Sequence, residues 1–237
     1  MIKELLACLL AALASAPARG AEPLEWKLTY TRHLTEAEPD GVDLNLRGTR
    51  DATVFWLGHY RRAEEFQQTR AGLEHTLGFD WGRLLLSGQA ATRGFLGFAT
   101  QAEIGRGPLR LLAGFGRTDL KPYYNLNFDP NDALTLGLVA DLAGGMRASL
   151  FAVHDDRLGT GQTVVHALLR TSDSPARRWS FDLLQRRGPL GGTGERVQRT
   201  GFGVTYDRAP YFARAVYDPN ANFSGHDMLR LGVGLRF

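Results

Sequence analysis

The chain has 237 residues, 43% hydrophobic and 22% charged, with 28 Lys+Arg against 25 Asp+Glu and an isoelectric point near 9.2. The basic residues are scattered singly along alternating segments, which excludes the stripe or block that nucleic acid requires. The single cysteine, Cys8, lies in the N-terminal segment, so the remainder offers no disulfide, thiol nucleophile or cysteine metal site.

That segment reads as an export signal. Lys3 supplies a positive charge, residues 5–13 (LLACLLAAL) an apolar core, and Ala16-Pro17-Ala18 an A-x-A cleavage pattern. Pro17 disfavours a cut after Ala16, so the expected signal peptide is 1–18, leaving one domain over 19–237. Leu5-Leu6-Ala7-Cys8 also matches a lipoprotein box, but too few residues precede Cys8 for a charged region plus an apolar segment. The competing reading is a short buried or anchoring helix. No later stretch approaches 18 apolar residues, which excludes a membrane-spanning helix there. A closed barrel also satisfies every backbone group in a bilayer, and needs only alternate residues to be apolar.

The chain then alternates at period two. Residues 24–32 place Leu24, Trp26, Leu28 and Tyr30 against Glu25, Lys27, Thr29 and Thr31. Further candidate strands are 42–47, 52–61, 67–77, 83–90, 95–104, 109–118, 133–141, 146–154, 162–170, 177–185, 197–206, 211–217 and the terminal one. Segments of about 7–11 residues suit tilted membrane strands. An even count is required with both termini periplasmic, and fourteen is expected. Twelve is the alternative, because 42–47 and 90–95 parse poorly. Short turns at 48–51, 78–81, 105–108, 142–145 and 207–210 interleave with longer polar loops, including 119–131 (DLKPYYNLNFDPN) and 188–196. Trp26, Trp56, Tyr60, Phe79, Trp81, Trp179, Tyr206, Tyr211, Tyr217 and Phe237 fall near segment ends, where interfacial girdles place aromatics. A soluble β-sandwich or lipocalin-like barrel would alternate as well.

Arginine is the main chemical feature, at 25 of the 28 basic residues. Arg47, Arg70, Arg83, Arg110, Arg147, Arg170, Arg178, Arg199, Arg214 and Arg230 fall on the face opposite the apolar one, which in a barrel is the lumen. Permanently charged, forked donors suit carboxylate or phosphate, so this ladder predicts an anion path. Glu25, Asp43, Glu74, Glu103, Asp141 and Asp182 share that face, and would instead produce a closed, salt-bridged interior.

Catalytic, cofactor and metal sites are not indicated. Ser224-Gly225-His226-Asp227 contains the triad residue types, but strand neighbours point to opposite faces. His154-Asp155-Asp156 reads as a solvated loop entry. Phe128-Asp129-Pro130-Asn131 and Tyr217-Asp218-Pro219-Asn220 repeat one turn pattern, with too few oxygens for calcium.

The terminal residues HDMLRLGVGLRF put Leu229, Leu231, Val233, Leu235 and Phe237 on one face. Arg230-x-Gly232-x-x-Leu235-x-Phe237 resembles the C-terminal β-signal of Gram-negative outer-membrane barrels. The resemblance implies a transmembrane antiparallel up-and-down β-barrel in the cell outer membrane, in contact with its lipid and inserted by the barrel-assembly machinery. In size and arginine content the chain is similar to small monomeric porins that pass acidic oligosaccharides, although none of their signature motifs matches. The expected function is a small porin-like channel for small or anionic solutes. The alternative is a closed structural or adhesion barrel whose loops 119–131 and 188–196 bind a partner or surface polysaccharide. A lipid-modifying enzyme is third; outer-membrane phospholipases and lipid A deacylases resemble one another in a His-x-Ser pair, and none of the six His has Ser two positions on.

Overall fold

The structure, a computed structural model, describes residues 23–63, 66–174 and 177–237. The signal peptide expected over 1–18 lies outside the described residues. The alternation becomes fourteen strands. They are β1 (Glu25–Thr35), β2 (Gly41–Arg50), β3 (Thr53–Arg62), β4 (Phe66–Phe79), β5 (Gly82–Ala91), β6 (Phe95–Ile104) and β7 (Leu109–Thr118). The second half continues with β8 (Ala133–Asp141), β9 (Arg147–Asp155), β10 (Thr163–Ser174), β11 (Arg177–Pro189), β12 (Arg196–Arg208), β13 (Tyr211–Asp218) and β14 (Met228–Arg236). The two weakly parsed regions are both resolved: 42–47 lies within the single strand β2, and 90–95 covers the end of β5, a short turn and the start of β6.

Each strand pairs antiparallel with its sequence neighbours, and β1 closes on β14 from Lys27 opposite Arg236 to Thr35 opposite Met228. Trp26 and Phe237 exchange both backbone hydrogen bonds (2.8 and 3.0 Å), which extends the seam to the final residue. The closed sheet leaves no edge of unpaired amides, the condition for placing strands in hydrocarbon.

The outward face is apolar. Leu57, Leu136, Leu150, Leu183, Phe202 and Val233 are all more than half exposed, far more contiguous apolar surface than a water-facing protein carries. Phe79 stacks on Trp81 and Trp179 packs on Tyr206. Together with Trp26, Tyr211 and Phe237 these form an aromatic belt at the end that carries both termini and the short turns, the periplasmic end in this architecture.

Two of the expected girdle residues face inward. Tyr60 is 1% exposed, and the Trp56 ring lies over the backbone of Gly72, where an added Cβ would sit 2.3 Å from the indole. Residues at odd positions of β3 (Phe55, Leu57) point outward, so strand parity sends Trp56 and Tyr60 to the lumen. The connections also differ from expectation: β3 to β4 spans only 63–65 and β5 to β6 only Thr92–Gly94, both at the outer end. The long exception is 119–132.

Leu136→Arg, on the bare outer face, is expected to cost about 2–4 kcal/mol. Gln101→Arg, facing the lumen, is expected to stay within about 0.5 kcal/mol. Urea titration of the barrel refolded into lipid vesicles separates the two.

Candidate functional site

The segment between β7 and β8 does not project outward. Its roots are tied by Asp132, which accepts the Thr118 amide (3.2 Å), the Thr118 hydroxyl (2.5 Å) and Arg157 (2.8 Å). Positive φ at Leu120 and Phe128 bends the chain. Tyr123, Tyr124, Leu126 and Phe128 would expose four apolar bodies on an outer loop, and inside the barrel they find partners.

On one wall, the Gln68 amide exchanges two 3.0 Å bonds with the backbone of Tyr124, whose ring stacks on Tyr60 at 5.0 Å. Tyr123 stacks on Phe95 at 4.0 Å. On the opposite wall, Arg186 donates to the Phe128 carbonyl (3.0 Å) and the Arg230 guanidinium lies 4.0 Å above the Phe128 ring. Asp129 accepts from His166 (3.0 Å), which also contacts Asp182 (3.1 Å). The segment is therefore a strut across the lumen.

Arg186 organises that second wall. It is 1% exposed, and besides the Phe128 carbonyl it binds Asp218 (2.5 Å) and the carbonyls of Pro219 (2.7 Å) and Asn220 (3.3 Å). Arg230 takes the other Asp218 oxygen at 3.0 Å. One guanidinium thus clasps both copies of the repeated Asp-Pro-Asn pattern, the first of which lies inside the barrel. The sequence reading ended this strand at Gln185 and missed Arg186. The period-two parity of Arg178, Ser180, Asp182 and Leu184, carried one step further, points to it.

Leu126 and Asn127 divide the lumen into two cavities of about 580 Å³ each. Both are lined by Arg47, Leu168, Asp182, Arg214 and Arg230, which face the strut at the throat between them. The outer cavity has five Lys or Arg side chains and four carboxylates. The inner one, toward the periplasmic end, has eight (Lys27, Arg47, Arg70, Arg170, Arg178, Arg214, Arg230, Arg236) and three (Asp43, Asp182, Asp207).

Six of the ten arginines in the expected ladder line these cavities: Arg47, Arg70, Arg170, Arg178, Arg214 and Arg230. Arg47 pairs with Glu74 (3.1 Å), Arg70 with Asp43 (2.8 Å), and Arg178 (3.2 Å) and Arg236 (2.5 Å) share Asp207. Arg170 and Arg214 contact no carboxylate among the described residues. The other four line neither cavity. Glu103, 5% exposed, accepts from Arg83, Arg110 (3.3 Å) and Arg147 (2.5 Å), and Asp141 accepts from Arg110 and Arg147, tying β5 to β9 at the periplasmic end. Arg199 sits opposite Arg186 in register and is exposed.

The triad residue types are not assembled. Asp227 accepts from the Tyr217 hydroxyl (2.5 Å), Ser224 bonds the His226 backbone, and the His226 ring is 3.9 Å from Glu38. His154 contacts Thr163, Asp155 caps the turn at Leu158 and Thr160, and Asp156 pairs with Arg117. The second display loop is also smaller than expected, because β11 and β12 leave only residues 190–195 between them.

The chain matches no family model and no curated protein by sequence. In structure it is similar to outer membrane protein Omp33 of Acinetobacter baumannii, with a TM-score of 0.56 at 10% identity, covering 90% of this chain and 98% of that one. OmpF of Salmonella typhi, solved in complex with daunomycin, gives 0.49 at 9% identity over 92% and 97% of the two chains. A mutant of the Rh. blastica porin gives 0.48 at 10% over 91% and 99%.

Among the described residues, Arg186→Ala leaves Asp218 with the Arg230 guanidinium alone and removes the side-chain donor to the Phe128 carbonyl. A loss of about 3–5 kcal/mol in urea unfolding is expected, since breaking a buried ion pair strands the charge left behind. The chain is an outer-membrane-type β-barrel of fourteen strands with a strut across its lumen.

Proposed function

We propose that the protein is a porin-like channel of the outer membrane that passes small anionic solutes, reached after removal of residues 1–18. The observation that carries this reading is the inner cavity's excess of eight cationic side chains over three carboxylates, with Arg170 and Arg214 uncommitted. Wall charge of one sign in a narrow, low-dielectric passage concentrates counter-ions and repels co-ions. The throat adds Arg47, Arg214 and Arg230 against Asp182 alone.

A closed barrel is the second reading, favoured by a strut anchored to both walls. Its interior ion pairs and the Arg186 clasp supply the rigidity such a scaffold needs. A folded barrel that conducts nothing selects it.

The deciding measurement is single-channel reversal potential in a planar bilayer under a potassium chloride gradient. The wild type is expected to favour chloride. Arg214→Glu, at the throat, is expected to lower the anion-to-cation permeability ratio at least about threefold, since unit charges a few ångströms apart interact by several kcal/mol at an effective dielectric near 20. Arg83→Glu, outside both cavities, is expected to change it less.

The terminal strand is the proposed contact with the assembly machinery, through Arg230, Gly232, Leu235 and Phe237. Phe237→Ala keeps the backbone seam, so it is expected to refold in detergent yet accumulate poorly in the outer membrane of cells. Normal accumulation would remove that role.

A further inference from the structure

We infer that the inner cavity contains a binding subsite for a solute with two separate carboxylates, formed by Arg170 and Arg214 and the hydroxyls between them. The inference rests on the anion-channel reading and deepens it by naming the ligand. Four lumen-facing residues lie in one register row across four adjacent strands. Arg170 of β10 is opposite Ser180 of β11, Ser180 is opposite Thr205 of β12, and Thr205 is opposite Arg214 of β13. All four line the inner cavity.

Among the described residues, no side-chain hydrogen bond or ion pair engages the four groups of the row. Both guanidinium-bearing side chains are exposed to the lumen. Neither meets a carboxylate among the described residues, although lumen acids are close. The carboxylates that act on Arg214 through space are Asp182 and Asp218. Asp182 is already held by His166, and Asp218 by Arg186 and Arg230. The neighbouring arginines differ: Arg70, Arg178 and Arg236 each have a carboxylate within 3.2 Å. The structure thus satisfies every nearby acid and leaves two forked donors open.

Spacing selects the ligand. Three inter-strand steps of about 4.8 Å separate the two arginines by about 14 Å of wall. Their side chains converge on leaving a concave surface, so one small molecule can meet both, while a single carboxylate can pair fully with only one fork. Ser180 and Thr205 between them offer hydroxyl donors to the remaining oxygens.

The test is isothermal titration of the detergent-refolded barrel with succinate, acetate and inorganic phosphate. Succinate is expected to bind at least about tenfold tighter than acetate. Arg170→Gln and Arg214→Gln are each expected to reduce succinate affinity to about the acetate level, a loss of about one charge-assisted contact. The same variants should change acetate affinity by no more than a few-fold. The double lysine variant R170K/R214K retains charge and is expected to keep only part of the preference. A heat-dependent gel shift confirms that each variant is folded. Equal binding of succinate and acetate, or succinate binding that survives R170Q/R214Q, overturns the subsite. Phosphate binding as tightly as succinate overturns the two-headed ligand. The titration needs no conductance, so its failure is distinguishable from failure of the channel reading, which the reversal potential decides.

Discussion

Closure of the sheet is the constraint on which everything else depends. In hydrocarbon an unpaired backbone amide costs several kcal/mol, so fourteen strands are admissible only if β14 returns to β1. The register from Lys27–Arg236 to Thr35–Met228, sealed by the Trp26–Phe237 pair, meets that demand. Once the ring is closed, side-chain direction is no longer free. Every second residue goes to lipid, and a charge carried within the hydrocarbon-spanning part of a strand has to go inward.

Those inward charges must then be managed in a confined space. The lumen does this unevenly. At the periplasmic end, Glu103 and Asp141 collect Arg83, Arg110 and Arg147 into a cluster that braces β5 through β9. On the far wall the buried Arg186–Asp218–Arg230 group holds the ends of β11, β13 and β14 together. A buried ion pair is weak evidence for net stability, yet it is costly to break, which makes it a good lock for geometry. Between these braces the wall of β10 to β13 retains arginines with no acid of their own.

The strut couples the two walls. Its aromatic half rests on Tyr60, Gln68 and Phe95, while its Phe128 half is gripped by Arg186, Arg230 and His166. By dividing the lumen at Leu126 and Asn127 it creates a throat, and it brings that throat against the least compensated part of the wall. The throat is therefore a joint property of a loop and of strands distant from it in sequence.

The sequence by itself determined the class of fold and the direction of most strand side chains, because period-two alternation is a local property and needs no partner to be read; between fourteen strands and twelve the closed structure decided. It also raised the expectation of arginines on the inward face, and six of the ten line the two cavities. Trp56 and Tyr60 went the other way from the girdle expectation, because their parity in β3 turns them inward. What the tertiary structure alone decided was which charges cancel. Arg83 and Arg214 are equivalent in a strand pattern, but only the first meets a carboxylate, since pairing depends on register across several strands. The path of residues 119–132 was likewise closed to sequence reading. A polar, Pro-containing stretch with four apolar side chains folds outward or inward according to the cavity available, and that cavity exists only after the barrel has closed.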